Sequence, residues 1–89
     1  MSSWELVVAG SATQTLDRLS ARVAAAIVEF MLGPLVEQPT GVGKPLQREL
    51  TGYWSTRRGA YRIIYRVDHD RQQVLVVRIQ HRSDVYRTR

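Results

Sequence analysis

Apolar residues recur with a helical period in the first part of the chain and with a period of two in the last part. A short apolar run at residues 4–8 predicts a first strand. The helical pattern that follows predicts a helix that starts with a capping box over residues 11–14. Ser20 divides the pattern, so we expect a second helix over about residues 21–32. The Gly-Pro pair at 33–34 should stop or kink that helix.

The second half of the chain predicts a connecting loop and three further strands. Residues 37–46 contain too many glycines and prolines for regular structure. The period of two predicts strands at residues 53–57, 61–67 and 73–81, with a polar turn between the last two. Residues 1–89 therefore predict a single α+β domain of order β-α-α-β-β-β. Its two N-terminal helices would pack on one face of a mainly antiparallel four-stranded sheet.

Alternation along the last two strands predicts which side chains share a sheet face. Arg62, Ile64 and Arg66 share one face of the third strand. A regular hairpin would place Arg62 opposite Arg78 and Ile64 opposite Val76. One face would then be apolar and covered by the helices, and the other would carry arginines around a small apolar floor. In the last strand, this interpretation puts Leu75, Val77 and Ile79 on the helix side, and Val74, Val76, Arg78, Gln80 and Arg82 on the arginine side.

Positive charge is concentrated in the second half of the chain. Residues 1–43 carry a net charge of −2, residues 44–89 carry +7, and all basic residues except Lys44 are arginines. Arginine presents a planar fork of donors that matches phosphate, so a polyanion or an acidic protein is the expected partner. The chain has no cysteine and no apolar run of the roughly 20 residues that span a bilayer. We therefore expect a cytoplasmic protein without disulfides or a membrane partner.

Two interpretations of the arginine face remain open at this point. It could be a solvated surface on which Glu49 or Asp84 lies between the arginines, because like charges directly opposite each other destabilise a sheet. It could instead be a concavity that binds a nucleic-acid backbone. In the second case Trp54 and Tyr86 are the aromatic side chains best placed to stack on bases.

The chain permits metal-free cleavage of RNA but offers little for metal catalysis. Its two histidines lie far apart, and His69 is in a polar turn. In RNA the 2′-hydroxyl supplies the nucleophile, so the protein needs a base, an acid and cations around the phosphate. Strict alternation would take His81 off the arginine face. The candidates are Arg62 and Arg82 with Arg57 or Arg58 as cations, and His81 or Tyr86 for proton transfer.

Four segments occur in a recognisable order, namely GKPL, L-x-G, RRGAYRIIY and HRSDVYR. With these segments, nearly the whole chain resembles the RelE branch of the RelE/ParE superfamily, the toxins of bacterial type II toxin–antitoxin modules. The resemblance implies the β-α-α-β-β-β fold. It also implies a ribosome-dependent mRNA endonuclease, or mRNA interferase, that cuts codons in the ribosomal A site. Such toxins use 2′-hydroxyl attack, leave a 2′,3′-cyclic phosphate and need no metal or other cofactor.

The same resemblance implies roles for individual residues. Arg62, Arg82 and Tyr86 match residues that bind the scissile phosphate, stabilise its charge and stack on or activate the nucleotide. His81 matches a catalytic histidine of some members. Arg57 and Arg58 lie near the position where well-studied members carry two lysines. Arginine is a poor base, so the resemblance does not identify the general base. The further RNA-binding residues would be Lys44, Trp54, Arg57, Arg58, Arg66 and Arg78.

The resemblance implies three kinds of partner: the ribosome with its mRNA, an acidic RelB-like antitoxin, and operator DNA reached only through the antitoxin. Two other functions remain possible on the sequence. One is inhibition of DNA gyrase, as for ParE toxins, which generally lack the catalytic set. The other is a non-catalytic toxin remnant that acts as an antitoxin-bound co-repressor. The presence together of Arg62, His81, Arg82 and Tyr86 favours the RelE side.

Overall fold

A computed structural model of the chain describes residues 4–83. It contains five strands and two α-helices, and the second helix runs on into a π-helical turn. The elements in order are β1 (Glu5–Val8), α1 (Gly10–Arg18), α2 (Ala21–Phe30), the π turn (Met31–Leu35), β2 (Lys44–Pro45), a 3₁₀ turn (Arg48–Leu50), β3 (Tyr53–Arg58), β4 (Tyr61–Asp68) and β5 (Gln73–His81). No helix in this part of the chain is long and apolar enough to cross a membrane.

The strands form one sheet in the order β1-β5-β4-β3-β2. β1 runs parallel to β5, and the other neighbouring pairs are antiparallel. This arrangement confirms the predicted α+β fold, with one strand more than expected. The extra strand is β2, which lies within the predicted loop, where Lys44 pairs with Ser55 and Pro45 with Trp54. A proline is tolerated there because β2 is an edge strand.

The predicted helix boundaries are right at Ser20 and at the Gly-Pro pair, and wrong at the capping box. The Ser20 side chain accepts a hydrogen bond from the Val23 N–H at 3.3 Å and caps α2. α1 begins at Gly10 without a side-chain cap, and the Ser11 hydroxyl instead donates to the Val77 carbonyl at 2.6 Å. α2 ends at Phe30, and the backbone passes through the Gly-Pro pair in a different conformation. Because Pro34 has no N–H to donate, the backbone widens there into the π turn.

The core lies between the helices and one face of the sheet. Its sheet side consists of Ile63 and Tyr65 from β4 and Val74, Val76 and Ile79 from β5. The helix side is formed by Ala12, Ile27, Met31 and Leu35. The buried Tyr65 hydroxyl donates to the Pro39 carbonyl at 2.6 Å, and this burial raises the pKa of Tyr65 to about 12.

Close packing around Tyr65 also explains why residue 43 is a glycine. A Cβ atom at Gly43 would collide with the Tyr65 hydroxyl and would lie 2.7 Å from the Ser55 carbonyl oxygen. The backbone before β2 can therefore approach β3 only without a side chain at this position.

A four-residue turn and a β-bulge in β5 each shift the pairing by one residue, so the predicted register is wrong. Ile63 pairs with Ile79 and Ile64 with Arg78, but Tyr65 pairs with Val76, so Val77 is an extra residue. Arg62 consequently lies opposite Gln80 rather than Arg78. The predicted division of β5 into two faces is right for Arg78, Ile79 and Gln80 and wrong for residues 74–77. Val74, Val76 and Ile79 all enter the core, because the extra residue reverses the alternation between them.

Candidate nucleic-acid interface

The sheet face away from the helices, called here the open face, contains a concavity of about 590 Å³. Its floor comes from β4 and β5, and one wall comes from the segment between β2 and β3. It is lined by Leu46, Glu49, Leu50, Tyr53, Arg62, Ile64, Val77, Arg78 and Gln80. With the bulge, Arg78 pairs with Ile64 and Gln80 pairs with Arg62. Both side chains therefore lie beside Arg62, although the predicted hairpin paired Arg62 with Arg78.

Arg62 lies at the centre of the positive charge on the open face. It is half-buried, and its cross-strand neighbours are Arg57 on β3 and Gln80 on β5. Arg62 also lines a second depression of about 540 Å³, together with Lys44 and Arg57. Two directly opposed arginines repel each other, so Arg57 and Arg62 define a place where an anion would stabilise the protein.

Arg66 belongs to the same face but lies beside a different aromatic residue. It pairs with Tyr53 across β3 and β4, and its guanidinium carbon is 5.4 Å from the Tyr53 ring centroid. This is cation–π distance, and it gives the tyrosine ring a fixed position at the edge of the concavity. Five of the predicted RNA-binding or catalytic residues are thus brought together on the open face, namely Lys44, Arg57, Arg62, Arg66 and Arg78.

Three predicted site residues lie on the helix side of the sheet instead. Trp54 pairs with Tyr65 and packs against the core. The Arg58 guanidinium carbon lies 5.9 Å from the Phe30 ring centroid. His81 pairs with Tyr61, and their rings meet edge to face at a centroid distance of 5.1 Å. These positions follow from the alternation of side chains along β3 and β5.

The hydrogen bonds of His81 determine which nitrogen of its neutral ring carries the proton. Its Nδ1 atom accepts the Ser83 backbone N–H at 3.1 Å and lies 2.8 Å from the Ser83 hydroxyl. A nitrogen that accepts a backbone N–H carries no proton, so the neutral ring holds its proton on Nε2. In this arrangement His81 has no lone pair free to act as a base.

The end of β5 carries the remaining predicted site residues. Arg82 is exposed, and its backbone N–H donates to the Ala60 carbonyl at 2.8 Å. That bond continues the β4–β5 pairing by one position and keeps Arg82 beside the turn that precedes Arg62. Tyr86 and Asp84 lie outside the described residues.

Several residues of the concavity were not among the predicted site residues. Alternation did place Gln80 with Arg78 on the arginine side, but an uncharged amide was not chosen as a site residue. Leu46, Leu50 and Tyr53 reach the site from the segment before β3, and no periodic signal marks that segment. Within residues 4–83, no three acidic or histidine side chains are grouped closely enough to hold a metal ion.

Comparison with known proteins places the fold and the sequence in one family. A family model described as the ParE toxin of the type II toxin–antitoxin system parDE matches residues 6–86. Toxin RelG of Mycobacterium tuberculosis is 48% identical over 77 residues, which are 86% of this chain and 88% of RelG. Toxin RelE of the same organism is 40% identical over 84 residues, which are 94% of this chain and 87% of that toxin.

Solved structures agree with this assignment. The toxin–antitoxin complex RelBE2 of M. tuberculosis contains a chain that superposes with a TM-score of 0.86 at 41% identity, covering 90% of this chain and 99% of that one. A free mutant of the E. coli toxin RelE superposes with a TM-score of 0.72 at 18% identity, covering 97% and 93%, which shows the shared fold.

Fold, sequence and basic sheet face together define a toxin of a type II toxin–antitoxin system. The chain belongs to the RelE/ParE toxin superfamily, and its similar toxins named RelG and RelE place it with the RelE-type members.

Proposed function

We propose that this toxin is a ribosome-dependent mRNA endonuclease that acts in the cytoplasm and stops translation by cutting codons in the ribosomal A site. The observation that carries the proposal is the opposition of Arg57 and Arg62 beside the concavity of the open face. An arrangement of like charges costs stability unless an anion occupies it. An RNA phosphate supplies that anion, and the concavity has room for a nucleotide next to it.

The proposed reaction is attack of a ribose 2′-hydroxyl on the adjacent phosphorus. The new bond joins the 2′ oxygen to phosphorus, and the bond to the 5′ oxygen breaks, which leaves a 2′,3′-cyclic phosphate and a 5′-hydroxyl. The 2′-hydroxyl proton goes to a base, and the leaving oxygen takes a proton from an acid. Arg62 and Arg82 would stabilise the extra negative charge of the pentacoordinate phosphate, each by preorganised donors that need no rearrangement.

Proton transfer in this proposal falls to His81 and Tyr86. His81 could act as an acid in its protonated form, once the Ser83 contact to Nδ1 is released. Tyr86 would stack on a nucleotide or, as its phenolate, accept the 2′-hydroxyl proton. Neither step requires a metal, because the arginines supply the positive charge.

The proposed regulator is an acidic RelB-like antitoxin, with operator DNA bound only through the antitoxin. Support comes from the similar chain in the RelBE2 complex, which was solved together with its antitoxin. Carboxylates of such a partner would neutralise the open face and exclude RNA from it.

The test maps the 5′ ends of a reporter mRNA by primer extension after brief induction in a bacterium. Wild-type protein should produce new ends within translated codons and none in an untranslated copy of the reporter. The Arg62→Ala variant should reduce cutting by about 100-fold or more, because one charge-stabilising donor set is lost. Arg18→Ala, the same change on exposed α1, is the matched control and should cut like wild type.

A second function is favoured by one finding, since the matching family model carries the name of the ParE toxin. Growth arrest with DNA breaks and no mRNA cuts would support a gyrase inhibitor and reject the nuclease. Neither arrest nor cuts would reject both and indicate a toxin remnant that acts as a co-repressor with its antitoxin.

A further inference from the structure

Thr56 is a buried threonine of β3, the strand next to the short edge strand β2. It pairs with Ile63, so its side chain lies on the helix side of the sheet. The Thr56 hydroxyl donates to the Val42 carbonyl at 2.9 Å. A valine has the same shape and would fill this position without a buried hydroxyl that needs a partner. The hydroxyl therefore adds a link to the loop before β2 rather than volume to the core.

The loop before β2 passes from the helix side of the sheet to the open face. On the helix side it is held by the bond between Thr56 and Val42. Two residues later, Lys44 pairs with Ser55 in the sheet. Ser55 also pairs with Ile64 of the open face, and side chains of paired residues lie on the same face. Lys44 therefore lies on the open face, two residues beyond the Thr56 contact.

β2 by itself does little to fix the position of Lys44. The strand has two residues, and the second, Pro45, has no N–H to donate. A slip of one residue would move Lys44 to the other face, because side chains alternate along a strand. Gly43 allows the backbone to approach β3 closely but has no side chain that could fix the register. The bond between Thr56 and Val42 lies directly before the strand, so it can supply the register that β2 lacks.

Lys44 belongs to a cationic depression that it shares with Arg57 and Arg62. These three side chains line a space of about 540 Å³, and Val42 and Thr56 line it as well. Among the described residues, no carboxylate lines this depression. Three like charges around one space repel each other, and a phosphate placed among them is attracted by all three. The position of Lys44 therefore determines whether a phosphate there meets three cations or two.

We propose that Thr56 is a positioning residue for RNA binding, which holds Lys44 on the open face as part of a three-cation phosphate site. The site consists of Lys44, Arg57 and Arg62. The inference rests on the proposed function, since the phosphate belongs to the RNA that this toxin would cut. Thr56 acts through the backbone that joins Val42 to Lys44. Loss of the Thr56 hydroxyl should therefore affect RNA binding in the same way as loss of the Lys44 ammonium group.

The test measures how salt affects the binding of a fluorescent single-stranded RNA of 2′-O-methyl ribose, which has no free 2′-hydroxyl and cannot be cut. The logarithm of the binding constant falls linearly with the logarithm of the salt concentration, with a slope of about 0.7 for each phosphate contact in single strands. Lys44→Ala should reduce that slope by about 0.7 and weaken binding by roughly three- to tenfold at low salt. Thr56→Val should cause the same two changes.

Three further variants separate a positioning role from a general loss of structure. Thr56→Ser keeps the hydroxyl and should retain the wild-type slope. The double variant of Thr56→Val and Lys44→Ala should bind like Lys44→Ala alone, because both changes remove the same contact. Thr13→Val is the matched control on exposed α1. It removes a hydroxyl that donates to the Ala9 carbonyl at 3.3 Å, and it should leave the slope unchanged.

Lys44 also offers a direct readout, because it is the only lysine of the chain. Bound RNA should protect its amine from acetylation in wild type and in Thr56→Ser but not in Thr56→Val. Mass spectrometry of the peptide that contains Lys44 measures this protection. The wild-type measurement tests the phosphate site even where Thr56→Val does not fold.

A wild-type slope in Thr56→Val, an additional loss of binding in the double variant, or an unprotected Lys44 in wild type would overturn the positioning role. Protection of Lys44 and a slope that depends on Thr56, without mRNA cuts in cells, would keep the positioning role and reject the nuclease. Cuts in cells together with an unchanged slope in Thr56→Val would do the reverse, so the two proposals fail separately.

Discussion

Ile63 and Ile64 are neighbours in β4, yet they belong to two different parts of the molecule. Ile63 is fully buried among core residues of β5 and the helices. Ile64 is half-buried on the open face, beside Arg62 and Arg78. One face of the sheet is therefore optimised for stability and the other for contact with a charged partner. The difference shows that stability and the proposed function rest on alternate residues of the same strands.

The bulge at Val77 is what keeps these two faces separate. Val74 and Val76 enter the core, and a regular strand would direct Arg78 and Gln80 inwards after them. The extra residue reverses the alternation, so that Ile79 takes the next core position. The Ser11 hydroxyl, which donates to the Val77 carbonyl at 2.6 Å, anchors the bulge to α1.

Insertion of one alanine between Arg78 and Ile79 should have the largest effect on the difference between the two faces. With this second extra residue, either Arg78 enters the core, or Ile79 leaves it and Gln80 turns inwards. Burial of an unpaired charge, or loss of Ile79 from the core together with burial of Gln80, should lower the free energy of unfolding by about 4 kcal/mol or more. Because the free energy of unfolding of a small domain is about 5 kcal/mol or slightly more, the variant should not fold. Circular dichroism during thermal unfolding would detect this.

The control for that insertion is Val77→Ala, which keeps the bulge and removes only a half-buried side chain. It should cost about 1 kcal/mol or less. An insertion variant that folded as well as Val77→Ala would show that the division into two faces does not hold beyond the bulge.

The same truncation on the two faces should give unequal losses of stability. Ile63→Ala leaves a cavity in the core and should lower the free energy of unfolding by about 2–5 kcal/mol. Ile64→Ala removes a side chain from the open face and should cost about 1 kcal/mol. Urea denaturation of both variants measures the difference. Equal losses would mean that the open face is packed as tightly as the core.

Tyr65→Phe should have a smaller effect, because it removes one hydrogen bond without leaving a cavity. The Pro39 carbonyl would lose its buried donor, at a cost of about 1–2 kcal/mol. Tyr53→Phe, on the open face, should cost close to nothing at neutral pH. Urea denaturation at pH 8 compares the two variants, and equal costs would contradict the assignment of Tyr65 to a buried hydrogen bond.

The stability contributed by the Tyr65 hydroxyl should also depend on pH. Burial raises its pKa from 10.0 to about 12, so the folded state favours the neutral form. That contribution is complete below pH 10 and is lost as pH rises towards 12. The stability difference between wild type and Tyr65→Phe should therefore shrink above pH 10. A constant difference up to pH 12 would show that the hydroxyl ionises equally in both states.

The smallest expected effect is a gain in stability on the open face. Arg62→Gln removes the repulsion between Arg62 and Arg57 and should stabilise the fold by about 0.2–1 kcal/mol at low salt. The gain should fade in 1 M salt, which screens the pair. Arg18→Gln, on exposed α1, provides the comparison. A loss of stability in Arg62→Gln at low salt would contradict the repulsion.

The sequence predicted the fold well because its strongest signals are local. The helical and two-residue periods identified β1, both helices, β3, β4 and β5 to within a few residues. The side-chain faces of β4 were right, since alternation in that strand is uninterrupted. β2 was missed because two residues carry no period, and one of them is Pro45.

The candidate site was less predictable because it depends on pairing between distant residues. A turn shorter by one residue and the extra residue at Val77 together changed the partner of Arg62, and no local pattern distinguishes a bulge from a regular strand of valines. Trp54 was grouped with the arginines by residue type, but alternation places it on the helix side. His81 was chosen for its chemistry and the family resemblance, and it lies off the arginine face, as strict alternation predicted. The apolar wall with Leu50 depends on the left-handed conformation of Arg48, which no sequence signal announces.

The bulge also determines which genetic changes this small protein can accept. Within β5, a codon can be exchanged for one that encodes a residue of similar polarity, and only one side chain is then affected. Loss of the Val77 codon would only turn the bulge into a regular strand, with Val76 and Ile79 still on the core face. Loss of a codon within β4, which has no extra residue, would instead invert the rest of that strand. We therefore expect the gene to tolerate a change of length at the bulge and to vary within β4 by substitution alone.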